Sequence, residues 1–352
     1  MSYVRQDIAS MKGYSPGLQP EGKDQIIKLN SNENPYPPSP KVKKALKNLV
    51  AADLRLYPDP VCFEVREKIA NLYGFSPTQI ICGNGSDEIL NIIIRTFVQP
   101  GEAIGFNEPT FPLYRILGVL QGSKVISQPL IDPFDRPCVP ASGLKVFFLA
   151  NPNSPVGFGY PMSLVGKLAR DFQGIFVVDE AYAEFASENA LQILREFENT
   201  IVVRTMSKSY SLAGARLGYA IGSEKWISEM FKVKDPFNVN QLTQTLVISA
   251  LDDQDYFKRN IAKIIATRDW FTQEAGLLGY KIFPSQANFI FIQPPQKGRG
   301  SKFYELLLAQ KIWTRFYDSD GLRDGVRMTI GSRGEMEVVM GVLKDLLGEW
   351  KA

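Results

Sequence analysis

Residues 175–182 read Ile175-Phe176-Val177-Val178-Asp179-Glu180-Ala181-Tyr182. Four apolar residues run straight into two acids and a tyrosine. The run is too short for a helix and predicts a buried strand that ends in a polar turn. Similar pieces lie on either side. Val146–Ala150 and Ile201–Thr205 read as buried strands, and Ser163–Asp171 has helical spacing. Further strands are predicted at Gln79–Cys82, Ala103–Phe106 and Arg216–Ile221, with helices running to about Val98 and over Leu113–Gln121. Short apolar strands alternating with helices predict an α/β unit, its sheet mostly parallel and covered on both faces.

Outward from this unit the texture changes. Prolines at 16, 20, 35, 37, 38 and 40 break any helix, so residues 1–40 read as an extended arm. A helix is predicted over 41–51, with Ser39 as cap and Pro40 in its first turn. Leu56-Tyr57-Pro58-Asp59-Pro60 is a turn, and 61–74 a helix closed by Gly74. Residues 224–278 are mainly helical. Beyond them strands return at Lys281–Phe283, Asn288–Gln293 and Gly325–Ile330, with helices over 302–310 and 334–350. The expected division is an arm (1–40) associated with a small domain, a large domain (41–265) and a smaller α+β domain (266–352).

Composition narrows the chemistry. A net charge of +3 gives no electrostatic footprint for nucleic acid. No run of 18 apolar residues predicts a membrane span, and the first residues lack the apolar core of a secretion signal. Three cysteines, with no CxxC pair, argue against a zinc site or a disulfide framework and for a reducing, cytoplasmic setting. Histidine is absent altogether, which removes Ser-His-Asp and Cys-His nucleophile systems. Proton transfer near neutral pH is left to Lys, Tyr, Asp, Glu, Cys or a cofactor.

Three stretches could carry such chemistry. Asp179 ends a predicted strand, where ligand crevices of parallel sheets lie, although a helix cap also explains it. Lys208 follows the strand Ile201–Thr205 among hydroxyl groups, in Thr205-Met206-Ser207-Lys208. Partial burial would lower its pKa and make the amine nucleophilic, whereas a solvated surface lysine is the ordinary alternative. Gly83-Asn84-Gly85-Ser86-Asp87-Glu88 joins a strand to a helix, a turn that suits a phosphate but lacks full dinucleotide or P-loop spacing. Together they fit a phosphorylated aldehyde cofactor, which needs an amine, an anion cradle and an acid facing its pyridine nitrogen. Lys208 would be the amine and Asp179 the acid. Gly85, Ser86, Asp87, Thr205, Ser207 and Arg216 would form the cradle.

At this point the chain resembles the histidinol-phosphate aminotransferase family, over nearly its whole length and with the motifs in family order. They are Leu29-Asn30-Ser31-Asn32-Glu33-Asn34-Pro35, Tyr57-Pro58-Asp59, the 83–88 turn, Asn107-Glu108-Pro109-Thr110-Phe111 and Asn151-Pro152-Asn153-Ser154-Pro155-Val156-Gly157. Val178-Asp179-Glu180-Ala181-Tyr182, Arg204-Thr205-Met206-Ser207-Lys208, Ala213-Gly214-Ala215-Arg216-Leu217-Gly218 and Val326-Arg327-Met328-Thr329-Ile330-Gly331 complete the series.

The resemblance implies pyridoxal 5′-phosphate (PLP) fold type I, aspartate aminotransferase-like: a large domain with a mostly parallel seven-stranded sheet and a smaller α+β domain. It implies that Lys208 takes the cofactor's aldehyde and later shuttles a proton, that Asp179 pairs with the pyridine nitrogen, and that Tyr182 bonds the phenolic oxygen. Phe111 stacks on the ring. Tyr57 reaches the partner subunit's cofactor, which makes a homodimer. Arg327 clamps the substrate α-carboxylate, Asn32 lies in the substrate site, and Tyr14 and Arg315 sit where the family contacts the substrate's own phosphate. Two positions depart from the family. Phe111 stands where tyrosine is common, and Ser154 stands where many relatives place the asparagine that touches the phenolic oxygen, so either Asn153 substitutes for it or the serine itself makes a weaker contact.

The implied reaction moves the amino group between histidinol phosphate and 2-oxoglutarate, releasing glutamate in one direction, with no metal, nucleic acid or membrane involved. Three rivals share the fold: an aromatic amino acid aminotransferase, an amino-acid phosphate decarboxylase and a non-catalytic regulator domain.

Overall fold

The computed structural model describes residues 3–20, 26–49, 54–130 and 137–350. In chain order the elements are α1 (Gln6–Ser10), β1 (Ile27–Lys28), α2 (Pro40–Asn48), α3 (Phe63–Tyr73), β2 (Ile80–Gly83), α4 (Ser86–Phe97), β3 (Ala103–Glu108), α5 (Leu113–Leu120), β4 (Lys124–Pro129), β5 (Leu144–Ala150), α6 (Met162–Asp171), β6 (Ile175–Asp179), β7 (Thr200–Thr205) and β8 (Gly218–Ile221). Three helices follow, α7 (Glu224–Val233), α8 (Gln241–Leu251) and α9 (Gln254–Leu277). The last elements are β9 (Lys281–Ile282), β10 (Phe289–Gln293), α10 (Gly300–Ala309), β11 (Ile312–Trp313), β12 (Arg315–Phe316), β13 (Val326–Thr329) and α11 (Arg333–Asp345).

The main sheet has seven strands in the order β2-β8-β7-β6-β5-β3-β4. Its strands are parallel except β8, which runs antiparallel to β2 and β7. Every residue of β6 and β7 is buried, because apolar side chains leave both faces. Val177 packs with α4, α5 and α7 on one side, while Phe176 and Val178 pack with α6 on the other. This alternation is the period of two that a strand imposes. The fold is the α/β architecture with a seven-stranded, mostly parallel sheet expected above.

Strand order reverses between β5 and β3, since the chain leaves β3 for the edge strand β4 and then returns on the far side of β3. The loops at the carboxyl ends of β3 and β5 therefore diverge and open a crevice. Beside it β8 starts at Gly218, beneath the first turn of α4. A Cβ there would lie 2.2 Å from the Ser86 nitrogen, so only glycine lets the strand pass this close.

A second sheet, β12-β13-β10-β9, is antiparallel and shares an apolar core with α9, α10 and α11. The arm is stitched to this part of the molecule. β1 pairs with β11, and the Thr329 N–H donates to the Leu29 carbonyl at 2.9 Å. The boundary expected at 265 falls inside α9, a continuous 24-residue helix. Phe257 near its start packs on the core beneath α3 and β8, while Phe271 and Ala275 belong to the second core.

Other departures are local. Arm residues Gln6–Ser10 form a helical turn rather than extended chain. The edge strand β4 was not anticipated, because Lys124-Val125-Ile126-Ser127-Gln128-Pro129 is half polar and ends in proline. The strand expected from Arg216 begins at Gly218, because Arg216 takes a left-handed φ of 54°. Helix α2 stops at Asn48, and residues 50 and 51 of its expected span lie outside the described residues.

Candidate active site

A cavity of about 610 Å³ opens at the carboxyl ends of the parallel strands, between the main sheet, the arm and β13. At its floor Asp179, the last residue of β6, is buried. The Tyr114 hydroxyl from α5 donates to its Oδ2 at 2.6 Å, and the Ala181 N–H donates to Oδ1 at 3.2 Å. Burial pushes the carboxyl up to about 6, against the opposing pull of these two bonds. Phe111 also lines the cavity and stands edge-on to Tyr114, with ring centres 5.8 Å apart.

Lys208 enters from the turn after β7. Its Nζ donates to the main-chain carbonyl of Ser31 at 3.0 Å. Burial lowers its pKa to about 8, the positive charge of Arg327 adds to this, and Glu33 and Asp87 oppose it. A half-buried amine in this range is substantially free base under mildly alkaline conditions and is a nucleophile toward an aldehyde. The Asn34 amide donates to the carbonyls of Lys208 and Ser209, at 3.0 and 3.1 Å. The arm therefore fixes both the amine and the backbone that carries it.

Asn32 ties three segments together. Its φ is 55°, a left-handed geometry that asparagine tolerates better than most residues. Its side-chain amide donates to the Tyr182 hydroxyl at 2.8 Å, its N–H to Thr329 Oγ1 at 2.9 Å, and its carbonyl accepts from Asn288 at 3.0 Å. Because the Tyr182 oxygen accepts from Asn32, the phenol's own proton is left for the cavity. Burial pushes this phenol up, against the pull of Arg327 and the Asn32 bond, so it stays protonated and able to donate.

Arg327 donates from one terminal nitrogen to the Asn30 carbonyl at 2.8 Å. Its Nε is buried and has no acceptor among the described residues, although buried donors are normally paired. A carboxylate in the cavity would satisfy it and meet the planar fork of the guanidinium.

The fourth wall is built for an anion. Gly85 takes a φ of 86° and turns the chain into α4, whose first N–H groups have no acceptor within the helix. Ser86 and Asp87 line the cavity there, and Thr205 and Ser207 face them with hydroxyls 3.0 Å apart. The Arg216 guanidinium lies over Gly85, where an added Cβ would come 2.5 Å from it. Arg216 also pairs with Asp87 at 3.1 Å. A helix start, hydroxyls and a guanidinium fit a phosphate group, and Asp179 and Lys208 fit the ring nitrogen and aldehyde of the cofactor expected from the sequence. Among the described residues no cluster of three metal-ligating side chains occurs.

At the mouth Tyr14 and Arg315 line the same cavity, and Arg315 holds the arm by donating to the Ser15 carbonyl at 2.8 Å. Two further cations, Lys12 and Arg115, lie beside them and were not singled out from sequence.

Three expected residues are not among those that line the cavity of this chain: Gly85, which turns the chain into α4 beside it, Asn153 and Tyr57. Asn153 is buried, its amide donating to the Pro109 carbonyl at 3.1 Å, and it is Ser154 that lines the cavity. The turn after β5 thus brings Ser154 to the cavity wall, with Asn153 bonded behind it. Tyr57 lies elsewhere on the surface, 80% exposed and stacked on Phe237 with ring centres 4.5 Å apart. Tyr114, Thr329 and Asn288 were not assigned a role. For Tyr114 a signal existed, since it stands three residues after Phe111 at the start of the expected helix.

Residues 24–343 match the family model described as aminotransferase class I and II. The chain is 45% identical over 347 residues to the histidinol-phosphate aminotransferase of Citrifermentans bemidjiense, covering 98% of this chain and 99% of that one. It is 44% identical to the protein of that name from Geobacter sp. strain M21, again covering 98% and 99% of the two chains. Among solved structures, histidinol-phosphate aminotransferase from Sinorhizobium meliloti in complex with pyridoxal-5′-phosphate superposes with a TM-score of 0.88 at 26% identity, covering 99% of this chain and 98% of that one.

Proposed function

The chain belongs to the class I and II aminotransferase family, and from that membership we propose that it is a histidinol-phosphate aminotransferase dependent on PLP. The observation that carries the reading is the meeting, in one cavity, of a half-buried amine with a pKa of about 8, a buried carboxyl and an anion cradle. Near-complete alignment with relatives of that name supports the choice of donor.

When bound, PLP supplies the electron sink that stabilises negative charge at the α-carbon of the amino donor. Asp179 holds the ring-nitrogen end, and its carboxylate favours a proton there. Tyr182 donates to the phenolic oxygen. Ser86, Asp87, Thr205, Ser207, Gly85 and Arg216 hold the phosphate. Phe111 covers one face of the ring. Lys208 Nζ would hold the aldehyde end of the cofactor and, when free, would serve as the base and acid that moves the proton of the donor's α-carbon. An amine of pKa about 8 suits both directions, because base and acid forms are each accessible near neutral pH.

The two half-reactions ask different things of one site. 2-Oxoglutarate and glutamate carry an α-carboxylate, for which Arg327 provides the fork. Histidinol phosphate has an alcohol in that place and a phosphate at the far end, for which Arg315 and Tyr14 at the mouth are the contacts. We further assign a homodimer, in which Tyr57 reaches the partner subunit's cofactor phosphate. The exposure of Tyr57 with Leu56, Val61 and Phe63 supports this face as an interface. The free thiols of Cys62, Cys82 and Cys138 support a reducing, cytoplasmic setting.

The test is a single turnover of PLP-loaded protein with histidinol phosphate and, separately, phenylalanine, followed by visible absorbance. Conversion to the amino form of the cofactor, much faster with histidinol phosphate and abolished in Lys208→Ala, is expected. Preference for phenylalanine would move the function to aromatic transamination. Release of carbon dioxide from an amino-acid phosphate would move it to decarboxylation.

A further inference from the structure

Tyr114 is fully buried, yet it lines the cavity and touches Asp179. Its ring is fully buried and clamped. It stacks on Phe148, with centres 4.9 Å apart and planes 11° from parallel, and meets Phe106 and Phe111 at steeper angles. A ring held on several sides cannot swing its hydroxyl away. That hydroxyl is 2.6 Å from Asp179 Oδ2, its only hydrogen bond among the described residues.

We propose that Tyr114 is a positioning residue for the reaction: its hydroxyl orients the Asp179 carboxylate and keeps it the weaker base, so that a proton between Asp179 and a ring nitrogen stays on the nitrogen. The inference rests on the PLP reading above. A hydrogen bond donated to a carboxylate stabilises its charged form and lowers its affinity for a proton. Without it, Asp179 would keep only the longer bond from Ala181 in a site where burial already favours the neutral acid. The proton would then pass from ring nitrogen to Asp179, leaving both neutral and the ring a poorer electron sink. The same short segment also carries Phe111, so one helix start sets both the ring-stacking wall and the acid's orientation.

The charged and titratable groups facing Asp179 are Tyr114 from α5, Asp87 from the first turn of α4, and Glu180 and Tyr182 from the loop after β6. Among the described residues, only Tyr114 and the Ala181 N–H bond it directly. The experiment compares full-length wild type and Tyr114→Phe, which keeps the stacked ring. Aspartate labelled at the γ-carbon is titrated by NMR in the cofactor-free chain, with the Asp179 signal assigned through Asp179→Asn. Removal of the bond should raise the Asp179 midpoint by about one pH unit or more. Fluorotyrosine at 114, a stronger donor of nearly the same shape, should lower it below wild type. In PLP-loaded protein labelled at the ring nitrogen, the nitrogen shift of Tyr114→Phe should move toward the unprotonated form. An Asp179 midpoint and a ring-nitrogen shift unchanged in Tyr114→Phe would overturn the proposal. Failure of wild type to take up PLP would instead overturn the functional reading, and the cofactor-free titration would still decide what Tyr114 does to Asp179.

Discussion

The amine of Lys208 is 3.0 Å from the main-chain carbonyl of Ser31, so the lysine that follows β7 rests on the N-terminal arm. The arm is in turn paired to β11 and hydrogen bonded to β13. Two distant ends of the chain therefore build the pocket that lowers this lysine's hold on its proton.

That burial has a measurable stability consequence. The folded-state pKa of about 8 lies below the 10.5 of an exposed lysine. Below pH 8 both states hold the proton, and the folded state bears the full penalty of a half-buried ammonium. Between 8 and 10.5 the unfolded state holds more protons, so stability rises with pH and the penalty fades. Lys208→Met in the cofactor-free chain should therefore raise stability by roughly 3 kcal/mol at pH 7 and about half that at pH 9.5. Urea unfolding at the two pH values checks it. An equal gain at both would mean that packing, not the buried charge, is responsible.

Arg327 is expected to separate the half-reactions. Truncating one member of a buried, hydrogen-bonded charge pair costs about 2–5 kcal/mol. Arg327→Ala should slow the glutamate half-reaction by a factor of about 30 or more, while the histidinol-phosphate half-reaction, with no α-carboxylate, changes less than about tenfold. Single-turnover rates measured from each direction decide it. Equal losses in both would place Arg327 in general site architecture.

Gly85 should matter to the phosphate alone. Its φ of 86° is strained for any side chain, and a methyl there would meet the Arg216 guanidinium. Gly85→Ala is expected to weaken PLP binding by about tenfold or more, from a conformational penalty of about 1–2 kcal/mol and a displaced Arg216. Binding of pyridoxal, which lacks the phosphate, should hardly change. Equilibrium dialysis with the two aldehydes makes the comparison.

Much of this site could be read from residue order, for a physical reason. Asp179 and Thr205 end apolar runs whose length and composition leave no choice but buried strands, and parallel strands deliver their carboxyl ends to one edge. The glycine turn at 83–88 lies on the same edge. What stayed hidden depended on directions that a linear pattern does not carry. Tyr114 sits among Leu113, Ile116 and Leu117, so its ring reads as core, which it is, while its hydroxyl's target comes from a strand 65 residues away. Asn153 and Ser154 are neighbours in a turn, and only the backbone path decides which faces the cavity. β4 was missed because an edge strand needs no continuous apolar run.

The ends of β6 and β7 are joined by a pair that does not line the cavity. Arg204 Nε and one terminal nitrogen donate to Glu180 Oε2 at 2.9 and 2.7 Å, and both residues are buried. Glu180 Oε1 accepts from the Ala190 N–H, and Glu184 lies 3.8 Å from the same guanidinium. Asp179 precedes Glu180 and Thr205 follows Arg204, so the pair braces two cavity residues from behind. Arg204→Met would leave two carboxylates buried without their cation, a loss of about 3–5 kcal/mol. The variant's carboxylates would hold protons more tightly folded than unfolded, so the deficit should shrink as the pH is lowered toward 5. Adding Glu180→Leu removes the stranded charge and should recover a large part of the loss, giving a coupling of about 2 kcal/mol in a double-mutant cycle. Urea unfolding of the four proteins at pH 5 and 8 measures both effects. Additive losses with no pH dependence would show that the two side chains contribute by packing alone.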